Sequence, residues 1–251
     1  MAVAQKLACV VEQVIDHGGD LAGGTGGRVY TLALRPERPA PRFRAGQFLH
    51  LALDPYDPTG YWPDSRVFSI ASSPIDRAVV RITYAVHGAF TSRMQAELKE
   101  GSRVWIKMPY GDFVIDSPGD VILLAGGTGV SAFTAYLEAL PADRDRRVVL
   151  AYGARVRPLL IYRDVVDRSA ARVPALDVTY FVEHGDAAEA SPSGARWKTG
   201  RVSVEDVWPQ VERPGQSDFY ISGPPAMLTG IAADLRARGI AQEAIHIDAW
   251  E

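Results

Sequence analysis

Cysteine is nearly missing from this sequence. Cys9 is the only one in 251 residues, so the chain can form no internal disulfide and cannot supply the four thiolates of a plant-type [2Fe–2S] cluster. No pair among His17, His50, His87, His184 and His246 has metal-ligand spacing, so no metal site is expected. Charge of one sign is also scarce: 27 Lys+Arg stand against 30 Asp+Glu, a formal net charge of -3. No basic run with interleaved aromatics could track a phosphate backbone, which argues against a nucleic-acid partner. There is no apolar stretch of membrane-spanning length, and the start, Met1-Ala2-Val3-Ala4-Gln5-Lys6, lacks the charged and apolar regions of a signal peptide. The expectation is a cytoplasmic protein with no membrane span. The remaining composition, 47% hydrophobic and 23% charged with 23 Gly and 17 Pro, excludes collagen, coiled coil and disordered tail.

Two kinds of patterning divide what is present. Short alternating or β-branched runs fill 7–15, 29–34, 48–53, 67–71, 79–86 and 104–108, each bounded by Gly, Pro or Asp. Their number predicts a six-stranded antiparallel barrel, interrupted by one helix over 91–99. After Pro118 strand-like runs alternate with helical ones: strands at 121–125, 148–152, 178–182, 219–222 and 245–247, with helices at 130–140, 159–166, 205–208 and 226–238. This predicts a doubly wound, parallel five-stranded α/β sheet. The expected domains are 1–117 and 118–251.

In an open parallel sheet, ligands bind beyond the carboxyl ends of the strands. The unusual residues of the second half fall there: Gly126-Gly127-Thr128-Gly129, Gly153-Ala154-Arg155, Glu183-His184-Gly185 and Ser222-Gly223-Pro224-Pro225. Glycines let a ligand approach the backbone, and a helix starting at Thr128 would turn free N–H groups toward a phosphate. No Gly-Lys-Ser/Thr follows, so this is a mononucleotide site and not a P-loop. By contrast Gly24-Thr25-Gly26 lies between strand-like runs and is read as a hairpin turn. Cys9 is read as a buried small hydrophobe, Met227 as a core residue at helical spacing with Ile231, and Trp62, Trp105, Trp197 and Trp208 as packing or surface residues.

The ordered set of motifs resembles the ferredoxin–NADP reductase-like flavoproteins over nearly the whole chain. Arg66-Val67-Phe68-Ser69 is similar to the family's Arg-x-Tyr-Ser flavin motif, Ala45-Gly46-Gln47-Phe48 to its Gly-Gln-Phe/Tyr signature, and Gly88-Ala89-Phe90-Thr91-Ser92 to its flavin pyrophosphate loop. Gly126 to Gly129, Ser222 to Met227 and Asp248-Ala249-Trp250 resemble the pyridine-nucleotide loop, the Cys-Gly-Pro-Pro-x-Met element and the acid-x-aromatic tail. The first domain is thus expected to be a Greek-key barrel binding FAD and the second to bind NAD(P)H, with the reaction in the cleft between them.

The resemblance implies roles residue by residue. Arg66 and Thr91 would hold the pyrophosphate, with Val67, Tyr84, Val86, Gly88, Phe90 and Ser92 completing the flavin site. Phe68 would present a face to the isoalloxazine and Ser69 a hydroxyl near N5. Gly127, Thr128, Gly129, Arg155, Glu183, Gly223, Pro224 and Met227 would hold the nucleotide, while Ser222 and Asp248 position the nicotinamide. Trp250 would cover the flavin and move aside for it. Three residues depart from the family pattern: Phe68 for Tyr, Ser222 for Cys, and Ala132 for Pro. Arg155 fits a 2′-phosphate site, but Glu183 would repel a phosphate and accept from ribose hydroxyls; Arg201 could restore phosphate binding. NADH is favoured over NADPH on that ground.

The implied task is to feed electrons to a ferredoxin, flavodoxin or other iron–sulfur protein. Two other readings stay open: a reductase that uses free flavin as substrate, and a non-catalytic FAD-holding electron-transfer or regulatory subunit of a larger complex.

Overall fold

A computed structural model describes residues 3–19, 27–57, 60–185 and 194–249. The chain folds into two units, Met1–Val114 and Ile115–Glu251.

In the first unit, six strands form an antiparallel sheet: β1 (Gln5–Asp16), β2 (Val29–Pro36), β3 (Phe48–Ala52), β4 (Ser65–Ser69), β5 (Val80–Ala85) and β6 (Arg103–Tyr110). Their order, β4-β3-β6-β1-β2-β5, is the Greek-key sequence expected of the barrel. The edges β4 and β5 come together where the Phe68 ring meets Tyr84 edge-on at 6.3 Å and, just beyond, the Ala71 N–H donates to the Arg81 carbonyl at 2.8 Å. A nearly closed barrel follows. Alternate residues point inward: Leu7, Cys9 and Val11 from β1, Leu32 and Leu34 from β2, Leu49 and Leu51 from β3, Val104 and Ile106 from β6. Burial pushes the Cys9 thiol up to about 12, as befits an inert core residue. One helix, α1 (Gly88–Glu97), links β5 to β6 and buries Phe90 and Met94. It begins three residues before the expected 91–99, because Gly88, at φ +80, turns the chain into it.

The second unit is a parallel sheet of β7 (Asp120–Gly126), β8 (Val148–Ala154), β9 (Leu176–Val182), β10 (Arg196–Thr199), β11 (Ser217–Ser222) and β12 (Ile245–Asp248) in the order β10-β9-β8-β7-β11-β12. The sheet therefore has six strands where the sequence predicts five. Strand β10 pairs in parallel with β9 at the edge and carries Arg196 and Lys198. Charged residues guard an exposed edge and erase the apolar signal by which a strand is recognised. Strands β7 and β8 are buried along their whole length, as a sheet covered on both faces requires.

Helices α2 (Ser131–Ala139) and α3 (Arg163–Arg172) pack together on one face, where Tyr180 donates to Asp167 of α3 at 2.9 Å. On the other face α4 (Val204–Val207) and α5 (Pro225–Ala237) join Ile122, Leu124, Val149, Phe181 and Phe219 in a single apolar cluster. Asp120 anchors the start of β7, accepting from Arg213 at 2.7 and 3.0 Å and from the Arg147 N–H at 3.0 Å.

Two helix expectations shift. The stretch 159–166 is a 3-10 turn (Arg157–Leu159) and a linking segment before α3 starts after Tyr162, whose φ of +58 breaks the helix path. The helix expected at Thr128 begins instead as a 3-10 turn, Gly127–Val130, and becomes α-helical at Ser131. No helix among the described residues is long and apolar enough to cross a membrane. None of their His, Cys, Asp and Glu side chains form a group of three placed to hold a metal.

Candidate functional site

The ends of the parallel strands enclose a cleft of about 500 Å³ in the second unit. Gly126 and Gly127 reach it from β7, Gly153, Ala154 and Arg155 from β8, Glu183 from β9, and Pro224, Ala226 and Met227 from the start of α5. The structure thus brings together four strand ends that are scattered over a hundred residues of sequence.

The glycines divide into two groups by what surrounds them. A Cβ on Gly129 would lie 2.3 Å from the Ser222 carbonyl oxygen, and one on Gly126 would lie 2.5 Å from Met227 Sδ. These two close the loop after β7 onto the loop after β11. Gly127 has φ +55 and open space where a Cβ would stand, so it shapes the backbone on the free side of the turn. No side chain caps this 3-10 turn, and its N–H groups are of the kind that meet a phosphate. Substituting Gly129→Ala is predicted to destabilise the protein by roughly 2 kcal/mol, since the neighbour is backbone and cannot step aside. Thermal unfolding of the variant checks this; an unchanged midpoint would refute the close approach.

Glu183 is three-quarters covered, and its carboxylate accepts from Arg201 Nε at 2.9 Å while Arg201 remains 84% exposed. The acid and the base that argue for opposite nucleotide preferences are therefore partners in one ion pair at the cleft wall. Thr128 and Gly223 stand in the same two loops but outside the lining.

Ser222 and Asp248 are opposite one another in the pairing of β11 with β12. Ser222 Oγ donates to Asp248 Oδ2 at 2.8 Å, and both residues are buried, at 2% and 4% exposure. The pair fixes the carboxylate at the end of the last strand. Trp250 lies outside the described residues, as do Gly24, Thr25 and Gly26.

In the first unit, Arg66 and Phe68 project from the same side of β4, two residues apart. Arg66 is exposed, pairs with Asp64 at 2.9 Å, and lies 5.2 Å from the centroid of the Phe90 ring. The strand and the first turn of α1 thereby converge, with Gly88 and Ala89 exposed at the helix start. The Thr91 hydroxyl behaves otherwise than expected of a free phosphate donor: it accepts from the His87 N–H at 2.6 Å and donates to the His87 carbonyl at 2.7 Å. It bonds within its own turn. Val67 lies on the opposite side of β4, paired with His50. Ser69 is buried at the end of that strand. Tyr84, on β5, is stacked on Tyr30 at 5.4 Å and its phenol is pushed up by burial. Val86 and Ser92 flank the turn into α1.

Several cleft residues carry no signal in the sequence reading. Gly200, Val202, Ser203 and Val204 follow β10, and Gly230, Ile231 and Asp234 come from the body of α5. The first group was hidden with its strand; Gly194 and Gly200 on either side of Arg196–Thr199 are the punctuation that could have exposed it. The second faces the cleft only because α5 crosses behind it.

The family described as Oxidoreductase NAD-binding domain matches residues 123–233. Among curated relatives, the reductase component of phenol 2-monooxygenase from Pseudomonas sp. (strain CF600) is 32% identical over 204 residues, covering 78% of this chain and 54% of that protein. The toluate 1,2-dioxygenase electron transfer component of Pseudomonas putida is 30% identical over 201 residues, covering 79% and 56%. The chain spans about half the length of these relatives. Among solved structures, an Amycolatopsis cytochrome P450 reductase superposes with a TM-score of 0.78 at 22% identity, covering 99% of this chain and 70% of that one. The FAD/NAD binding domain of nitric oxide dioxygenase from Vibrio cholerae gives 0.75 at 18% identity, covering 100% and 99%. At such identities the structures establish a shared fold.

Proposed function

We propose that the chain, which belongs to the ferredoxin–NADP reductase-like flavoproteins, is an NAD(P)H-dependent reductase that holds FAD on its first unit and NAD(P)H on its second. It passes electrons to a separate one-electron acceptor protein. The observation that carries this reading is the cleft at the strand ends, where the glycine turn, Arg155 and the Glu183–Arg201 pair converge. FAD, when bound, takes two electrons together from the nicotinamide and gives them up singly.

The residues fit these two ligands. Arg66 supplies a planar fork for a diphosphate, and the exposed start of α1 supplies N–H groups beside it. Phe68 offers an apolar face without the hydroxyl of the family's usual Tyr, and Ser69 a hydroxyl at the end of the same strand. In the second unit the turn at Gly127–Val130 receives the nucleotide diphosphate, and Glu183 takes the ribose hydroxyls. Ser222 and Asp248 orient the nicotinamide through polar contacts, the hydroxyl holding the carboxylate in place. No general base is required of the chain; stacking and proximity do most of the work.

Relatives named as a monooxygenase reductase and a dioxygenase electron transfer component favour an oxygenase or iron–sulfur protein as the acceptor. The test is an anaerobic visible spectrum of the purified protein loaded with FAD. Stoichiometric NADH or NADPH is expected to bleach the flavin band. A protein that retains no flavin but turns over free flavin would instead be a flavin reductase, and one whose bound flavin resists both nucleotides would be a passive subunit.

A further inference from the structure

The cleft of the second unit continues past the strand ends. It runs along α5, beyond the groups given a role above, to Gly230, Ile231 and Asp234. With Met227 these residues stand at i, i+3, i+4 and i+7, which puts all four on one face of the helix. From Met227 to Asp234 that face extends about 10 Å, the span of a nucleoside.

Gly230 is the odd member of the four. It sits inside a helix of 13 residues, where glycine is among the poorest formers, and it is not one of the glycines with positive φ. Among the described residues nothing lies within 4 Å of where its Cβ would stand, so no packed neighbour requires its absence either. What it leaves is room on the cleft side of α5.

The facing wall is apolar and fixed. Val202 and Val204 follow β10, and a Cβ on Gly153 would lie 2.8 Å from Val202 Cγ2, so this valine is pressed onto the end of β8. Ile231 and Val204 belong to the apolar cluster on this face of the sheet, with Met227 and Val202 packed against it. Ser203 lies between the two valines, but its hydroxyl is engaged in capping α4: it accepts from the Asp206 N–H at 3.1 Å and donates to Asp206 Oδ2 at 2.7 Å. Opposed apolar walls suit a planar ring. The polar group at the far end of the slot is the Asp234 carboxylate.

That carboxylate is held in place. Its Oδ1 accepts from Arg238 Nε at 2.8 Å, and the Arg238 guanidinium in turn lies 4.8 Å from the centroid of the Trp208 ring. The Asp234 side chain keeps 40% of its surface exposed and lines the cleft, where an ionised carboxylate can only accept.

We propose that this slot takes the adenine ring of the nicotinamide nucleotide, that Gly230 admits the ring by having no side chain, and that Asp234 accepts a hydrogen bond from its 6-amino group. Gly230 and Asp234 then determine specificity for the base, as Glu183 and Arg201 do for the ribose. The proposal rests on the reading of the second unit as the nucleotide holder. It goes further in excluding hypoxanthine, which carries a carbonyl oxygen where adenine carries the amino group and would set acceptor against acceptor. Water reaches Asp234, which limits the discrimination to about tenfold.

The test uses the full chain loaded with FAD, so that the flavin's own adenine is already seated. Binding of ADP-ribose and of its hypoxanthine counterpart is measured by titration calorimetry, and thermal unfolding is recorded for every protein. The parent is expected to bind ADP-ribose about tenfold more tightly than the hypoxanthine form. Asp234→Asn, whose amide can donate to the carbonyl, should bring the two within about threefold. Gly230→Leu is expected to weaken ADP-ribose binding about 30-fold by filling the slot. Gly230→Ala should weaken it about threefold while raising the unfolding midpoint by about 2 °C, since alanine favours the helix that glycine disfavours. Weaker binding by a more stable protein separates a filled slot from a damaged fold. Equal affinity of the parent for the two ligands would overturn the role of Asp234, and unaltered ADP-ribose affinity in Gly230→Leu would overturn the slot, in both cases with NADH still bleaching the parent's flavin. Failure of NADH and NADPH to bleach that flavin would instead remove the nucleotide reading beneath it.

Discussion

Arg66→Ala is expected to release FAD, weakening its binding about 100-fold. The guanidinium lies beside the first turn of α1, 5.2 Å from the centroid of the Phe90 ring, and two charge-assisted hydrogen bonds to a diphosphate contribute roughly 3 kcal/mol together. Its present partner does not compete on equal terms. Asp64 is 70% exposed, and an ion pair so open to water contributes little, so exchanging it for a diphosphate costs the fold almost nothing. The variant should therefore unfold at the parent's temperature when both are stripped of flavin, yet emerge colourless from gel filtration. Flavin titration followed by fluorescence quenching reads the affinity directly. Retention of FAD at the parent's affinity would remove Arg66 from the diphosphate site and leave the helix start as its sole donor.

Glu183→Arg is expected to raise the NADPH/NADH ratio of kcat/KM by about 30-fold or more, mostly through improved use of NADPH. In the parent, the carboxylate holds Arg201, and on the proposed reading it would repel a 2′-phosphate that Arg201 would otherwise meet. The substitution removes the repulsion, adds a donor fork, and frees Arg201, all at the same wall of the cleft. Glu183→Gln isolates the first and third of these effects and should move the ratio in the same direction by less. Steady-state kinetics with both nucleotides decides it. An unchanged ratio in both variants would mean that selection lies elsewhere, with Arg155 the first residue to examine.

These two residues differ in how much of their placement could be read in advance. Arg66 is recognisable from its motif and from its strand, because alternation on β4 puts it on the side of Phe68 whatever the rest of the fold does. For Glu183 the sequence offers a position, the end of a strand, and a sign of charge. Its pairing with Arg201 joins residues eighteen apart that precede and follow β10, a strand whose charged edge residues conceal it. Thr91 differs again. Its place at a helix start suggested a ligand donor, but a hydroxyl four residues from His87 can close on its own backbone first, and local hydrogen bonds of this kind compete with distant ones.

The sequence alone determined the two patterns, period two before Pro118 and alternating strand and helix after it, because burial on one face or two dictates those periods regardless of how the elements meet. It also placed the glycine loops at the strand ends, since chain direction in a parallel sheet carries every carboxyl end to the same side. Tertiary structure decided what periodicity cannot encode: that Gly129 must lack a Cβ because the Ser222 carbonyl stands against it, that Ser222 and Asp248 are partners, and that Phe48 stacks on Tyr110. Each of these depends on the distance between segments far apart in the chain. Such distances are set by packing, in which every side chain participates, and no local run of residues contains them.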